Sequence, residues 1–227
     1  MQVIKSIYID HMGSDLSIVN AARVSFGKKS KLVEGAVKED EQGQYLEMVL
    51  SDKDTKLIYY LAKHKHTSPF GHAFATFHVV APVFVARQLV KHKFLRWNEI
   101  SRRYVSTKPD YFEPTTWRAK VDDKKQGSSE SIIIGDIHIS TTLEYVTSLY
   151  KHMIDSGVCE EQARMVLPQS TMTEWYWSGS LDAFADMCNL RCSKDTQFET
   201  RMVAKQIDTK MSELFPVSWE ALRNVHS

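Results

Sequence analysis

A short stretch of the sequence, residues 87–103, concentrates the side chains best suited to bind an anion. It contains six Lys and Arg residues and one acid, Glu99, so its local formal charge is +5 in a chain whose total is +1. Like charges repel unless a ligand neutralises them, and this concentration therefore predicts a phosphate or similar anion site. A solvated basic face would give the same count, but Asn98 and Glu99 add hydrogen-bonding groups that charge alone does not need.

The residues after Pro82 predict the element that carries the first of these cations. Proline suits a helix start, and the following pattern predicts a helix that ends near Lys93. On it, Gln88, Lys91 and His92 would share one face, at i, i+3 and i+4. Lys93 would lie about 200° around the axis from Lys91. The two lysines would then serve different ligand atoms, one of them at a subunit interface, unless the helix ended between them.

The rest of the chain predicts strands and helices of a single α+β domain over residues 1–227. Alternating apolar and β-branched residues predict strands, and apolar residues at helical spacing predict helices. Two polar segments, near 29–45 and 118–135, are expected to be surface insertions, the first of them mobile. Strands are predicted at 2–9, 72–80 and 132–139, and helices at 18–23, 54–65, 141–155, 159–167, 181–190 and 195–214.

Segments 86–93 and 98–104 resemble the signature of the flavin-dependent thymidylate synthases. That signature is Arg-His-Arg, then seven residues, then Ser, within an Arg-Gln…Asn-Glu-x-Ser-x-Arg-Tyr context. Here the triplet is Lys91-His92-Lys93, and Ser101 follows at the family interval. The likeness spans most of the chain. Further blocks in the family order lie at residues 22–26, 66–72, 77–88, 163–168, 175–181, 189–191 and 197–201.

The resemblance implies an activity, cofactors and an assembly. Members of this family convert dUMP to dTMP with methylenetetrahydrofolate as one-carbon donor and with FAD, reduced by NADPH, as hydride source. They use no cysteine nucleophile. They are α+β proteins with a central, mainly antiparallel sheet flanked by helices, and they form homotetramers whose active sites are shared between subunits. The expected partners are therefore small molecules and copies of the chain, without nucleic acid or membrane.

The resemblance also implies which residues form the site. Arg191 is expected to be the catalytic residue, because its planar guanidinium would bind the uracil edge and stabilise the deprotonated N3/O2 side. Ser101 is expected to be a hydrogen-bonding ligand, since no base lies at a readable spacing from it. The expected dUMP contacts are Gln88, Lys91, Glu99, Ser101, Arg102, Arg103, Arg164 and Arg191. The expected FAD contacts are His66, Ser68, Lys91, His92, Lys93, Glu99, Ser178, Gly179, Ser180 and Asp186.

Several of these residues have a plainer structural interpretation. His66 and His72 would also bracket a turn at Pro69. Residues 178–180 would also form a bare turn before a helix, where small residues are favoured. Asp186 suits a core or surface position better than a cofactor contact.

Two departures from the family signature matter for binding. Lys91 and Lys93 keep the charge of the usual arginines but lose the bidentate fork and planar stacking. Either FAD or dUMP binds more weakly here than with arginines, or Arg96, which the usual pattern lacks, makes the phosphate contact. Gly71 also stands where many members carry Glu.

The cysteines indicate a reducing, cytoplasmic setting. Three are present, an odd number without a paired framework. Cys188 and Cys192 lie four residues apart near Arg191, where a redox or metal role is conceivable. Two ligands with no nearby His make a poor zinc site, so no metal is expected.

Composition excludes several other classes of protein. The chain has 227 residues, of which 43% are hydrophobic and 25% charged, which excludes wholesale disorder. No apolar run approaches the ~20 residues of a membrane span, and the N-terminus is unlike a signal peptide.

Two alternative functions stay open at this point. The first is a nucleic-acid-binding module that uses residues 87–104, with Phe94, Trp97 and Tyr104 as stacking platforms. The near-neutral total charge of the chain counts against nucleic-acid binding. The second is a flavin- or nucleotide-binding relative without synthase activity, as the two signature lysines would allow.

Overall fold

The computed structural model describes residues 3–41, 43–120, 128–129, 132–133, 135 and 137–224. The strands within them are β1 (Lys5–Met12), β2 (Val33–Asp40), β3 (Gly43–Val49), β4 (Phe74–Pro82), β5 (Leu95–Glu99), β6 (Trp117–Arg118), β7 (Ile132–Ile133) and β8 (Met172–Ser180). The helices are α1 (Asp15–Arg23), α2 (Asp52–Lys63), α3 (Val83–Leu89), α4 (Ser140–Asp155), α5 (Glu160–Ala163), α6 (Leu181–Arg191), α7 (Phe198–Leu214) and α8 (Pro216–Asn224). Short 3-10 turns cover Val24–Phe26, Ser68–His72 and Arg164–Val166.

A four-stranded antiparallel sheet in the order β1-β4-β8-β5 forms the centre of the fold. Strands β4 and β8 pair along their whole length, from Phe74 opposite Ser180 to Pro82 opposite Met172. The pairs β2-β3 and β6-β7 form separate two-stranded sheets. The predicted α+β class, with a mainly antiparallel sheet flanked by helices, is confirmed.

One face of the central sheet packs against helices and builds the core. Successive strand residues point to opposite faces, and on β4 this buries Ala75, Phe77 and Val79. Trp175 and Trp177 of β8 lie on the same side, each 1% exposed. A continuous buried cluster joins these strands to α1, α2, α3, α6, α7 and α8. The two tryptophans therefore belong to the core.

The opposite face of the sheet carries exposed side chains. His78 of β4 stacks on Tyr176 of β8, with ring centroids 5.3 Å apart, and its Nε2 lies 2.9 Å from a carboxylate oxygen of Glu174. Ile7 and Met12 of β1 lie on this face and are 40% and 59% exposed. No helix in the described part of the chain is long and apolar enough to cross a membrane.

The helix predictions agree better with the structure than the strand predictions. The face of α7 predicted from helical spacing is the buried one, with Val203, Ile207 and Met211 fully enclosed. In contrast, β5, β8 and α8 had no counterpart in the sequence-based prediction. The strand predicted at 132–139 is limited to Ile132–Ile133 among the described residues, since residues 137–139 are irregular.

The two predicted insertions have different outcomes. Residues 33–49 form the β2-β3 hairpin, although the segment near 29–45 is predicted to be mobile. Its side chains are mostly exposed, so burial periodicity gave no strand signal there. Much of the second insertion, 118–135, lies outside the described residues.

Asp54 anchors the start of α2 to the end of α1. It is only 4% exposed and accepts hydrogen bonds from Arg23 Nε at 2.9 Å and from Ser30 Oγ at 2.9 Å. Ser51 Oγ donates to its second oxygen at 2.8 Å. Burial opposes ionisation of this carboxyl, but the bonds from Arg23, Ser51 and Ser30 outweigh it and hold its pKa below the usual value.

We expect Asp54→Asn to lower the free energy of unfolding by about 3 kcal/mol at neutral pH, because it leaves the Arg23 charge poorly matched. A carboxyl with a depressed folded-state pKa contributes stability above its unfolded pKa and loses it as the pH falls through the folded pKa. The wild-type protein should therefore lose this contribution below about pH 4, and the variant should show less acid dependence. Urea unfolding across pH measures both. Asp52→Asn, at an exposed position in the same turn, is the control, and an equal loss there would contradict this role.

Candidate active site

The basic stretch 87–103 begins on the last residues of α3 and continues into a turn before Lys91. Helix α3 ends at Leu89, and the backbone N–H of His92 donates to the Leu89 carbonyl at 3.1 Å. Phe94, at φ 63°, adopts the left-handed conformation just before β5. The predicted helix to Lys93 is therefore too long, and Lys91 and His92 do not share a helix face with Gln88. Lys91 and Lys93 both lie exposed in this one turn.

Arg191, at the end of α6, binds this turn directly. Its Nε donates to His92 Nε2 at 2.9 Å and its Nη2 donates to the Gln88 carbonyl at 3.3 Å. Burial, together with the Arg191 charge, lowers the pKa of His92 to about 4. His92 is then neutral near pH 7 and can accept the bond at Nε2. Burial also lowers the pKa of Arg191, but a guanidinium remains charged.

The side chain of Gln88 is hydrogen-bonded to Thr200 of α7 and to Gln197, the residue before α7. Thr200 Oγ1 donates to Gln88 Oε1 at 3.1 Å, and the Gln88 amide donates to Gln197 Oε1. Sequence reasoning quoted residues 197–201 as a family block but gave Gln197 and Thr200 no role. In the sequence, Thr200 lies at helical spacing from the apolar residues of α7, a position that is typical of ordinary core packing.

A second group of predicted site residues lines a cavity of ≈ 530 Å³. The predicted residues at its wall share charge or hydrogen-bonding capacity: Glu99, Ser101, Arg102, Arg103 and Arg164. Three guanidinium groups around one cavity suit a phosphate dianion. The cavity thus brings together five of the eight residues expected to contact dUMP.

The cavity wall is held in place by bonds within the chain. Arg103 donates from its backbone N and its Nε to Ser101 Oγ, at 3.3 and 3.2 Å. Glu99 accepts from Thr173 Oγ1 at 2.6 Å and from Trp97 Nε1 at 3.0 Å. The carboxylate therefore has a fixed orientation before any ligand arrives.

Helix α3 extends from the cavity to the Arg191 side chain. Val83 lines the cavity, and Gln88, five residues later, meets Arg191. At ~1.5 Å rise per residue the two positions are ~7.5 Å apart along the axis.

Residues 178–180 end β8 beside the same turn. Ser178 Oγ lies 3.0 Å from Thr76 Oγ1. A Cβ on Gly179 would lie 2.3 Å from Leu95 Cδ2 and 3.2 Å from the Phe94 carbonyl. The glycine is thus explained by the close approach of the chain itself, which brings the turn that holds the signature lysines against β8.

The other expected FAD residues lie elsewhere. His66 stacks on Tyr60, with ring centroids 6.1 Å apart, and Ser68 begins the 3-10 turn that precedes β4. Pro69 in that turn is buried, as the structural interpretation of His66 and His72 requires. Asp186 lies on the exposed side of α6, one and a half turns before Arg191.

The nucleic-acid alternative loses one of its stacking platforms. Trp97 stacks on Trp175 of the core, with centroids 4.2 Å apart and planes inclined by 19°. Its indole N–H is bound to Glu99. Phe94 and Tyr104 remain 82% and 75% exposed, but two exposed rings without the third do not form the continuous platform that single strands need.

We expect His92 to make the protein less stable in mild acid. A base with a lowered folded-state pKa favours unfolding as the pH falls from its unfolded value near 6.5 to its folded value, since the unfolded chain binds the proton first. Stability should therefore decrease from about pH 6.5 to the folded pKa of about 4. His92→Gln keeps an acceptor for Arg191 and should flatten that dependence, as thermal unfolding across pH would show.

His72→Gln, which changes an exposed histidine, is the control and should keep the wild-type dependence. An unchanged pH dependence in His92→Gln would contradict the Arg191–His92 bond.

Comparisons with known proteins agree with this geometry. The family model described as "Thymidylate synthase complementing protein" matches residues 8–217. A flavin-dependent thymidylate synthase of Thermus thermophilus is 36% identical over 217 residues, which cover 94% of this chain and 73% of that protein. The flavin-dependent thymidylate synthase of Thermosipho africanus is 35% identical over 221 residues, 94% of this chain and 88% of the relative.

A solved structure has the same fold. The UMP/dUMP methylase PolB from Streptomyces cacaoi, bound with 5-Br UMP, superposes with a TM-score of 0.79 and 28% identity, over 99% of this chain and 96% of that one. Sequence, fold and cavity therefore point the same way, and the chain belongs to the thymidylate synthase complementing protein family, together with the flavin-dependent thymidylate synthases.

Proposed function

We propose that this chain is a flavin-dependent thymidylate synthase that converts dUMP to dTMP. The observation that carries the proposal is the cavity that Glu99, Ser101, Arg102, Arg103 and Arg164 line together in a member of this family. The arginines would bind the phosphate, and Ser101 would donate to it or to the sugar. The backbone amides of Ser101 and Arg102 would add further donors, since those of Ile100 and Arg103 already donate to the Glu174 carbonyl and to Ser101 Oγ.

Arg191 would bind the uracil ring. Its bonds to His92 and Gln88 use Nε and Nη2, and no bond to Nη1 is seen among the described residues. That end of the guanidinium can therefore donate to O2 and to deprotonated N3. Deprotonation of N3 places negative charge on this edge and makes C5 a better nucleophile toward the one-carbon unit, so a fixed cation there would stabilise the reactive, deprotonated ring.

The residues around the turn fit the phosphates of FAD. Lys91 and Lys93 would supply two exposed cations, and Ser178 and Ser180 would supply hydroxyls on either side of Gly179, which pairs with Leu95 just after the turn. The other expected contacts are His66, Ser68, His92, Glu99, Gly179 and Asp186. When bound and reduced by NADPH, the flavin supplies the hydride that completes the methyl group. Methylenetetrahydrofolate is the proposed one-carbon donor.

We also propose a cytoplasmic homotetramer with active sites shared between subunits. Two observations support this. The expected FAD residues fall into separate groups. His66 stacks on Tyr60, whereas His92 is hydrogen-bonded to Arg191. The exposed face of the central sheet carries Ile7, Met12 and Tyr176, a mixed apolar and polar surface of the kind that subunits bury.

We expect tritium release from 5-tritiated dUMP only when FAD, NADPH and methylenetetrahydrofolate are all present. Arg191→Lys keeps the charge but loses the fork, and should lower kcat/KM by about 100-fold, with flavin absorbance retained. Release without flavin would contradict the mechanism. No release from folded protein that is yellow with flavin would favour the relative without synthase activity.

The signature lysines can be tested by a double-mutant cycle. We expect Lys91→Arg with Lys93→Arg to tighten FAD binding about tenfold, the effect of one added charge-assisted hydrogen bond of ~1.5 kcal/mol. Arg96 lies on β5 opposite Ser178. If it compensates for the lost arginines, Arg96→Lys should weaken FAD binding in the wild type and less in the double variant.

Flavin fluorescence titration measures these affinities. Unchanged affinity in the double variant would refute weaker binding by the lysines, and unchanged affinity in Arg96→Lys would refute compensation.

A further inference from the structure

Two cysteines and an aspartate meet behind the helix end that carries Arg191. Cys188 and Cys192 lie one turn apart on α6, and Asp208 lies on α7. Their two sulfur atoms and a carboxylate oxygen are within 4.8 Å of one another, with Cys192 Sγ 3.9 Å from Asp208 Oδ2. From sequence the cysteines offered only two ligands. The structure adds the third from a residue sixteen positions further on.

The spacing of the two cysteines suits a bridging metal better than a disulfide. Residues at i and i+4 of a helix have Cβ atoms about 5–6 Å apart, whereas a disulfide needs about 3.5–4.5 Å. Two thiolates on one tetrahedral metal, each bonded at ~2.3 Å, leave their sulfurs ~3.8 Å apart. Rotation about the side-chain bonds can give that distance without unwinding α6.

The surrounding charges would balance a divalent ion. Two thiolates and one carboxylate reduce a +2 ion to a net charge of −1, which the Arg223 guanidinium offsets. Arg223 Nε donates to Asp208 Oδ1 at 2.8 Å, and Trp219 Nε1 donates to the same oxygen at 2.9 Å. These bonds orient the carboxylate so that Oδ2 lies toward Cys192, as the supporting shell of a metal ligand does.

Access to this cluster is from one side. Cys188 is fully buried and its thiol points to the Ala204 carbonyl, 3.6 Å away. Cys192, the C-terminal cap residue of α6, is partly exposed. An ion would therefore arrive beside Cys192, and a water could complete its coordination from the same side.

We propose that Cys188, Cys192 and Asp208 form a binding site for one soft divalent transition-metal ion of the Zn²⁺ class. The bound ion would connect the C-terminal end of α6 to α7 and so fix the residue that precedes Cys192, Arg191. Its role would be structural, since neither cysteine takes part in the proposed reaction.

The test is a titration of the full, reduced chain with Co²⁺ alone, followed by competition with Zn²⁺. We expect a thiolate-to-cobalt charge-transfer band that saturates at one ion per chain, disappears on addition of Zn²⁺, and accompanies a higher unfolding temperature. Cys192→Ser should weaken binding at least about tenfold, because losing a ligand should cost no less than losing a supporting residue.

The exposed third cysteine provides the matched control, since Cys159→Ser should bind like the wild type. Cys192→Ser changes a partly exposed cap, and its circular dichroism should match that of the wild type. Absence of the band, or its survival in folded Cys192→Ser, would overturn the proposal. A loss of two hydrogens by mass on mild oxidation of the Co²⁺-treated chain, mapped to these two cysteines, would also overturn it and assign a redox pair.

Discussion

The geometry of the candidate site depends on a permanent positive charge held half-buried at the end of α6. Arg191 cannot lose its proton, so its burial requires acceptors at fixed positions. The acceptors are His92 Nε2 and the Gln88 carbonyl, both in or beside the turn that follows α3. Gln88 is fixed in turn by Gln197 and Thr200. One guanidinium thereby couples α3, α6 and α7, and a ligand would meet a cation already oriented.

The same constraint explains why α3 is short. In a helix continued to Lys93, the Gln88 carbonyl would accept the His92 backbone N–H, whereas here it accepts from Arg191 Nη2. Ending at Leu89 instead returns the chain along β5, antiparallel to β8. That pairing delivers Glu99 and the residues after it to the cavity, where Thr173 and Trp97 hold the carboxylate. The groups proposed to bind uracil and phosphate are therefore positioned by a single reversal of the chain.

Sequence periodicity predicted the elements whose burial follows one regular face. The buried stripe of α7 is the best example, because Val203, Ile207 and Met211 repeat at helical spacing. Strand β8 was missed because the consecutive aromatic residues Trp175, Tyr176 and Trp177 hide the apolar–polar alternation of a half-buried strand. The end of α3 was missed because no glycine or proline marks it, and the reversal is completed by Phe94 at positive φ. The five cavity residues came from family resemblance, whereas Gln197 and Thr200 could be recognised only through their contacts.

The reversal also shows that the fold does not depend on which basic residues stand at positions 91 and 93. A phenylalanine in the left-handed region costs about 1–2 kcal/mol, and a Cβ at Gly179 would press on the Phe94 carbonyl and on the Leu95 side chain. The conformation of the turn is thus set by strand pairing and by this contact. Lys91 and Lys93 are exposed, so exchanging arginine for lysine changes the groups offered to a ligand and leaves the backbone that offers them in place. Arginine and lysine at these two positions would therefore differ in recognition chemistry and not in architecture.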